Sequence, residues 1–86
     1  MNYFVVVQRG NKIITLNEVP KNKDPEEIFN NELDAAIATV NRKPFCNYTL
    51  QCCQSKDGKS KSVIKCEVYW DAESNRVKAV RSENSS

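Results

Sequence analysis

Apolar and polar residues alternate along the first eighteen positions in a pattern typical of β-strands. Residues 2–8 and 12–18 are rich in β-branched and aromatic side chains, and Gly10 and Asn11 separate the two runs. Glycine at the first central position suits a two-residue type II′ turn. We therefore predict that the chain begins with a β-hairpin.

The register of this hairpin decides which side chains face the core. If Arg9 pairs with Lys12, regular pairing gives the following core side: Tyr3, Val5, Val7, Ile14 and Leu16. The reverse side then carries Phe4, Val6 and Ile13, and it is more apolar than a fully solvated sheet face should be. We expect another layer or a partner to cover it.

The middle of the chain carries the signals of one capped amphipathic helix. Asp24 suits the N-cap and Pro25 the first helical position, so the predicted helix runs from about Pro25 to Val40. Its apolar positions recur at spacings of three and four residues: Phe29, Leu33, Ala36, Ile37 and Val40. Asn41 can take a left-handed cap conformation, and Pro44 forbids continuation of the helix.

Three further β-rich runs follow the helix. They are predicted at Phe45–Gln54, Lys61–Trp70 and Arg76–Val80. We predict a three-residue loop of Lys56, Asp57 and Gly58 between the first two of these strands, because a loop of this length pairs Leu50 with Ile64. The core sides of both strands then match.

The predicted elements follow the order β-β-α-β-β-β. Hairpins arranged around one helix favour an α+β fold with an antiparallel sheet of about five strands and the amphipathic helix packed on one face. Residues 1–80 are predicted to form this single domain. Residues 81–86 are polar and are predicted to be a flexible tail.

The cysteines are predicted to be buried thiols. The apolar run Tyr3–Val7 is too short for a signal peptide or a membrane span, so we expect a cytoplasmic protein, reduced thiols and no membrane partner. The four cysteines are Cys46, Cys52, Cys53 and Cys66. Cys52 and Cys53 are adjacent on a strand and point to opposite faces, and no C-x-x-C spacing occurs, which argues against a metal site.

The residue types that enzymes use most often are scarce in this chain. It has no histidine, the usual general base, and both glycines are explained by turns, so a phosphate-binding loop is missing. Acidic residues of the helix lie on or near an exposed face, where acids normally solvate. We therefore predict a protein that is not an enzyme, with no cofactor and no small-molecule substrate.

Basic residues are concentrated in the second half of the chain. Residues 1–41 hold four basic and six acidic side chains, whereas residues 42–86 hold nine basic and five acidic ones. The candidate phosphate contacts are Lys56, Lys59, Lys61, Lys65, Arg42, Lys43, Arg76 and Lys78. Tyr69 is available to stack on a base. Exposed lysines also keep a sheet edge soluble, so the pattern alone does not require a polyanion.

RNA, or a complex that acts on RNA, is the predicted target of this basic hairpin surface. The one helix is acidic at its start and unsuited to the major groove of duplex DNA. In general character the chain is like small phage or mobile-element regulators, so an inhibitor of a host factor is one candidate role.

A protein-interaction module is the alternative function. Its candidate surface is the apolar sheet side, formed by Phe4, Val6, Ile13 and Val63. Such a surface serves either a foreign partner or a homodimeric regulator that binds no nucleic acid.

Overall fold

The strands and the helix follow the predicted order. The structure is a computed structural model, and it describes residues 2–83. Its elements are β1 (Asn2–Arg9), β2 (Lys12–Glu18), α1 (Pro25–Arg42), β3 (Tyr48–Lys56), β4 (Lys59–Asp71) and β5 (Arg76–Glu83). The strands form one antiparallel sheet in the order β2-β1-β3-β4-β5. The predicted α+β fold is confirmed.

Within the described part of the chain, no helix is long and apolar enough to cross a membrane.

The core lies between α1 and one face of the sheet, which we name the inner face. The helix packs against β1, β3, β4 and β5. The fully buried side chains at this contact include Phe29, Val40, Val5, Leu50 and Val68. Each contributes roughly 1.5–3 kcal/mol when it is removed from water. No helix of residues 2–83 covers the opposite face, which we name the outer face.

The helix begins as predicted and ends later than predicted. The Asp24 carboxylate accepts a hydrogen bond from the Glu26 N–H at 3.1 Å, which is the N-cap contact. At the other end Asn41 remains helical, so the left-handed cap predicted there is wrong. Lys43 caps the helix instead, because its N–H donates to the Thr39 carbonyl at 2.8 Å and continues the helical pattern.

The first hairpin turns at the predicted residues but contains a β-bulge. Arg9 lies opposite Lys12, and Gly10 has φ +62° at the first central position, as a type II′ turn requires. Beyond the turn the register shifts by one residue, and Ile14 has no partner of its own on β1. This extra residue changes the face of every side chain that follows it in β2.

The bulge makes the predicted core assignment of β2 wrong. Leu16 lies opposite Val6 rather than Val5, which puts it on the outer face, where it is 63% exposed. Ile14 is 49% exposed. A slip of one residue exchanges the two faces of a strand, and alternation in the sequence does not reveal an inserted residue.

The second hairpin has a shorter turn than predicted. Lys56 lies opposite Lys59, so only Asp57 and Gly58 form the loop. Both have positive φ, +53° and +75°, as in a type I′ turn, whose twist matches that of the flanking strands. The predicted three-residue loop is therefore wrong.

A second bulge restores the match between the core sides of β3 and β4. Val63 is the extra residue, and the pairing resumes with Cys52 opposite Ile64. Leu50 consequently lies opposite Cys66, two residues from its predicted partner. Because the difference is even, the same side chains still face the helix.

The last strand extends into the segment predicted to be a tail. β5 continues to Glu83, and Arg81 packs on the helix. The Arg81 guanidinium lies 2.7 Å from a Glu26 carboxylate oxygen and 5.6 Å from the centre of the Phe29 ring. Residues 81–83 are therefore strand residues, and the remainder of the predicted tail, 84–86, lies outside the described residues.

All four cysteines are buried and free, as predicted. Burial raises the pKa of the Cys52, Cys53 and Cys66 thiols, so these side chains stay protonated and react poorly. Among residues 2–83, no three histidine, cysteine or acidic side chains are grouped as metal ligands.

The Asp71 carboxylate organises the turn between β4 and β5. It accepts hydrogen bonds from the Ser74 hydroxyl at 2.6 Å and the Glu73 N–H at 3.4 Å, and Lys78 Nζ lies 2.9 Å from it. The hydrogen bonds from Ser74 and Lys78 lower the pKa of Asp71 to about 2. Asn75 completes the turn with φ +56°.

The register of β2 can be tested by two substitutions. We expect Leu16→Ser to lower the free energy of unfolding by no more than about 0.5 kcal/mol, because Leu16 is exposed. Leu50→Ala should lower it by roughly 2–5 kcal/mol, because Leu50 is fully buried. Urea unfolding followed by circular dichroism measures both. Equal losses for the two variants would favour the register without a bulge.

The contribution of Asp71 to stability should depend on pH. A carboxyl group whose pKa is lowered by folding stabilises the fold above its unfolded pKa, and this contribution is lost as the pH falls through the folded value. For Asp71 the window lies between the unfolded value of 3.8 and the folded value of about 2. Asp71→Asn should therefore lower the melting temperature clearly at about pH 6 and little near pH 2.

Thermal unfolding of Asp71→Asn and the parent protein between about pH 2 and pH 6 measures this pH dependence. Ser74→Ala removes the strongest hydrogen bond to Asp71 and should show the same trend with a smaller amplitude. A difference in melting temperature between Asp71→Asn and the parent protein that does not change with pH would contradict it.

Candidate nucleic-acid interface

The basic residues predicted as one binding surface lie at two ends of the sheet. Lys56 and Lys59 flank the β3–β4 turn, whereas Arg76 and Lys78 begin β5 beside the last residues of β4. β4 runs from Lys59 to Asp71, and at about 3.3 Å per residue this separates the two groups by roughly 40 Å. The longest dimension of the molecule is 43 Å.

The lysines of the β3–β4 hairpin also divide between the two faces of the sheet. Their register puts three of them on the inner-face side: Lys56, Lys59 and Lys61. Lys65 lies opposite Gln51 on the outer face, because the bulge at Val63 changes the alternation between them. Lys65 Nζ is also 4.0 Å from a Glu67 carboxylate oxygen. The four lysines do not form one continuous surface.

Three chain segments bring exposed basic side chains together at the other end of the sheet, which we name the basic end. Its members are Arg9 and Lys12 at the first turn, Arg42 and Lys43 at the end of α1, and Arg76 and Lys78 at the start of β5. The end of α1 lies here because β3 starts at Tyr48, only a short loop later. The acidic residues at this end are Glu67, Asp71 and Glu73.

Topology explains each part of the basic end. Arg9 and Lys12 are adjacent because they flank a two-residue turn. Arg42, in the last turn of α1, lies at the negative end of the helix dipole, where a cation is favoured. The Lys78 ammonium is held by an ion pair with Asp71, in which Nζ lies 2.9 Å from a carboxylate oxygen. Arg9 and Lys12 were not predicted as contacts, because the strand order that brings them here was not determined by the sequence pattern.

Two aromatic side chains accompany these charges. Tyr69 lies opposite Lys78 on the outer face and is half-buried. Phe45, predicted to be a strand residue, lies in the loop before β3 and is 79% exposed. The basic end therefore combines cationic groups with rings on which a base can stack.

A shallow cavity of about 250 Å³ opens on the outer face beside Tyr69. The side chains of Thr49 and Glu67 lie opposite each other at this position, and the rest of the wall comes from Gly10, Asn47, Tyr48 and Val68. Tyr48 and Val68 pair on the inner face, so the outer face of the cavity presents an amide, a hydroxyl, a carboxylate and the ring of Tyr69.

The predicted protein-interface residues are also only partly grouped. Phe4, Val6 and Ile13 lie on the outer face of β1 and β2, and exposed Leu16 joins them opposite Val6. We name these four residues the outer apolar patch. Val63 lies away from them on β4, and it packs against the core cluster instead.

Comparisons with known proteins do not assign the chain to a family. It matches no protein-family model, and no curated protein and no solved structure shows significant similarity to it. Its function is therefore inferred from the charges, rings and cavity described above.

Proposed function

We propose that this protein is a non-enzymatic binding protein that takes single-stranded RNA at its basic end. The observation that supports this most directly is the convergence of six exposed basic side chains from three chain segments, next to Tyr69 and Phe45. Lysine and arginine neutralise phosphates, and aromatic rings stack on unpaired bases. The basic end supplies both kinds of contact within one region.

An unpaired strand suits this surface better than a duplex. The only helix of residues 2–83 carries Glu26 and Glu27 in its first turn, and it is packed on the sheet, so it is not suited to enter a major groove. Stacking on Tyr69 also requires a base that is free of its own stack. The exposed backbone of a single strand can follow the basic side chains around the end of the sheet.

The basic end is a better candidate than the β3–β4 hairpin on which the sequence pattern focused. At the hairpin end of the sheet Asp57 lies between the lysines. The start of α1 adds Asp24, Glu26 and Glu27; Lys21 and Lys23 precede them, and Glu26 pairs with Arg81. These acids offset the positive charge of the hairpin lysines. At the basic end the six cations face three acids, so the local field attracts a polyanion.

The two turns provide a matched test of this location. Arg9 and Lys12 flank one two-residue turn, and Lys56 and Lys59 flank the other. We expect Arg9→Gln/Lys12→Gln to weaken binding of a short single-stranded RNA and to reduce the slope of log affinity against log salt by about 1.4, for two lost phosphate contacts. Lys56→Gln/Lys59→Gln should leave both quantities unchanged.

Fluorescence anisotropy titrations at several salt concentrations measure these slopes, and circular dichroism melting confirms that both variants are folded. If the Lys56/Lys59 variant loses affinity and the Arg9/Lys12 variant does not, the RNA site lies on the hairpin instead. If the parent protein binds no RNA even at low salt, the proposal fails.

A protein partner is the second candidate, and one observation favours it. The bulge in β2 adds Leu16, 63% exposed, to the outer apolar patch beside Phe4 and Val6. Exposed apolar patches of this kind often mark protein interfaces. Absence of RNA binding in the titrations above would leave this candidate ahead.

A further inference from the structure

The cavity beside Tyr69 has a chemical character that basic residues alone do not explain. Its polar side chains are those of Asn47, Thr49 and Glu67; Asn47 and Thr49 can each donate and accept hydrogen bonds, whereas the ionised Glu67 carboxylate can only accept them. Glu67 and Tyr69 are two residues apart on β4, so both lie on the outer face, about 7 Å apart along the strand. A flat ligand that stacks on the Tyr69 ring therefore reaches the Glu67 carboxylate with its edge.

The Glu67 carboxylate is unusual for a site that attracts phosphates. Its side chain is 57% exposed, and Lys65 Nζ lies 4.0 Å away and offsets part of its charge. An ionised carboxylate accepts hydrogen bonds and cannot donate them, and it repels a phosphate. A ligand that presents donors therefore suits it best, and a pair of adjacent donors uses both of its oxygens.

We propose that this cavity binds one unpaired guanine base, an inference that rests on the RNA-binding function proposed above. Guanine alone among the four RNA bases presents two adjacent donors, N1–H and the N2 amino group, on its Watson–Crick edge. A carboxylate accepts both at once. Adenine and cytosine each place an acceptor nitrogen beside their amino group, and uracil places carbonyl oxygens on both sides of its N–H.

The same carboxylate disfavours the other bases. Adenine, cytosine and uracil can each donate one hydrogen bond to a carboxylate oxygen, but the acceptor atom beside that donor carries partial negative charge and faces the second oxygen without a hydrogen bond. Stacking on Tyr69 is available to every base, because each has a π-face. Tyr69 therefore supplies affinity, and Glu67 supplies selectivity for guanine.

RNA is a better source of this base than a free nucleotide. The cavity lies within the basic end, where Lys78 is paired with Tyr69 across the strands and Arg9 and Lys12 flank the turn that carries Gly10. These cations extend beyond the cavity and suit a chain of several phosphates. A single nucleotide would use only part of them.

The test compares short oligouridine RNAs that differ only at one central position, which carries guanosine, inosine or adenosine. We expect the parent protein to bind the guanosine RNA roughly tenfold more tightly than the adenosine RNA, since a bidentate contact discriminates by about this factor. The inosine RNA, which keeps N1–H and lacks the N2 amino group, should fall between them. Fluorescence anisotropy at one fixed salt concentration measures all three.

Glu67→Gln should abolish the preference for guanosine without weakening the binding of the adenosine RNA. Glu73→Gln is the matched control, because it removes an acidic side chain from the same end of the sheet but outside the cavity lining. It should preserve the preference. Amide NMR spectra of both variants confirm that the fold is intact.

The outcomes separate this inference from the proposed function. Salt-dependent binding with equal affinity for the three RNAs would overturn the guanine assignment and leave the RNA-binding proposal standing. No binding of any RNA would overturn both. Guanosine monophosphate that binds as tightly as the guanosine RNA would overturn the assignment to RNA and identify a free guanine nucleotide as the ligand.

Discussion

The packing of Phe29 and Val40 against the central strands is the contact on which the rest of the structure depends. Both side chains are fully buried between α1 and the sheet. No second helix of residues 2–83 packs on the sheet. The Asp24 cap and the Arg81 guanidinium hold the start of the helix over the same face. Because one helix covers one face, the other face of the sheet is left to meet solvent or a ligand.

Periodicity and capping signals were sufficient to predict the elements of this fold. Asp24 and Pro25 marked the start of the helix, and Gly10 marked the first turn, and these features are determined by local chemistry. The bulges at Ile14 and Val63 were not predictable in the same way. An inserted residue leaves the alternating pattern almost unchanged, yet it decides whether a side chain faces the helix or the solvent.

For the candidate site, local sequence was sufficient to identify most of the basic residues, but not to show which of them lie together. Arg42, Lys43, Arg76 and Lys78 were recognisable as a basic set, but their grouping with Arg9 depends on strand order. That order comes from long-range pairing, which no short window of sequence contains. The hairpin lysines, close together in sequence, are separated from this group by the length of β4.

The outer face and the basic end meet at the cavity beside Tyr69. There the open face contributes hydrogen-bonding groups and a ring, and the ends of three chain segments contribute positive charge. A site of this kind can be selective, because specificity needs only a few placed acceptors beside a stacking surface.

The most direct measurement is an amide NMR titration of the labelled protein with a short single-stranded RNA. The amide signals of Gly10, Asn47 and Tyr69 should shift as RNA is added, while those of Asp57 and Gly58 at the β3–β4 turn should stay in place. Shifts confined to the β3–β4 turn, or to the outer apolar patch, would contradict the location of the site at the basic end.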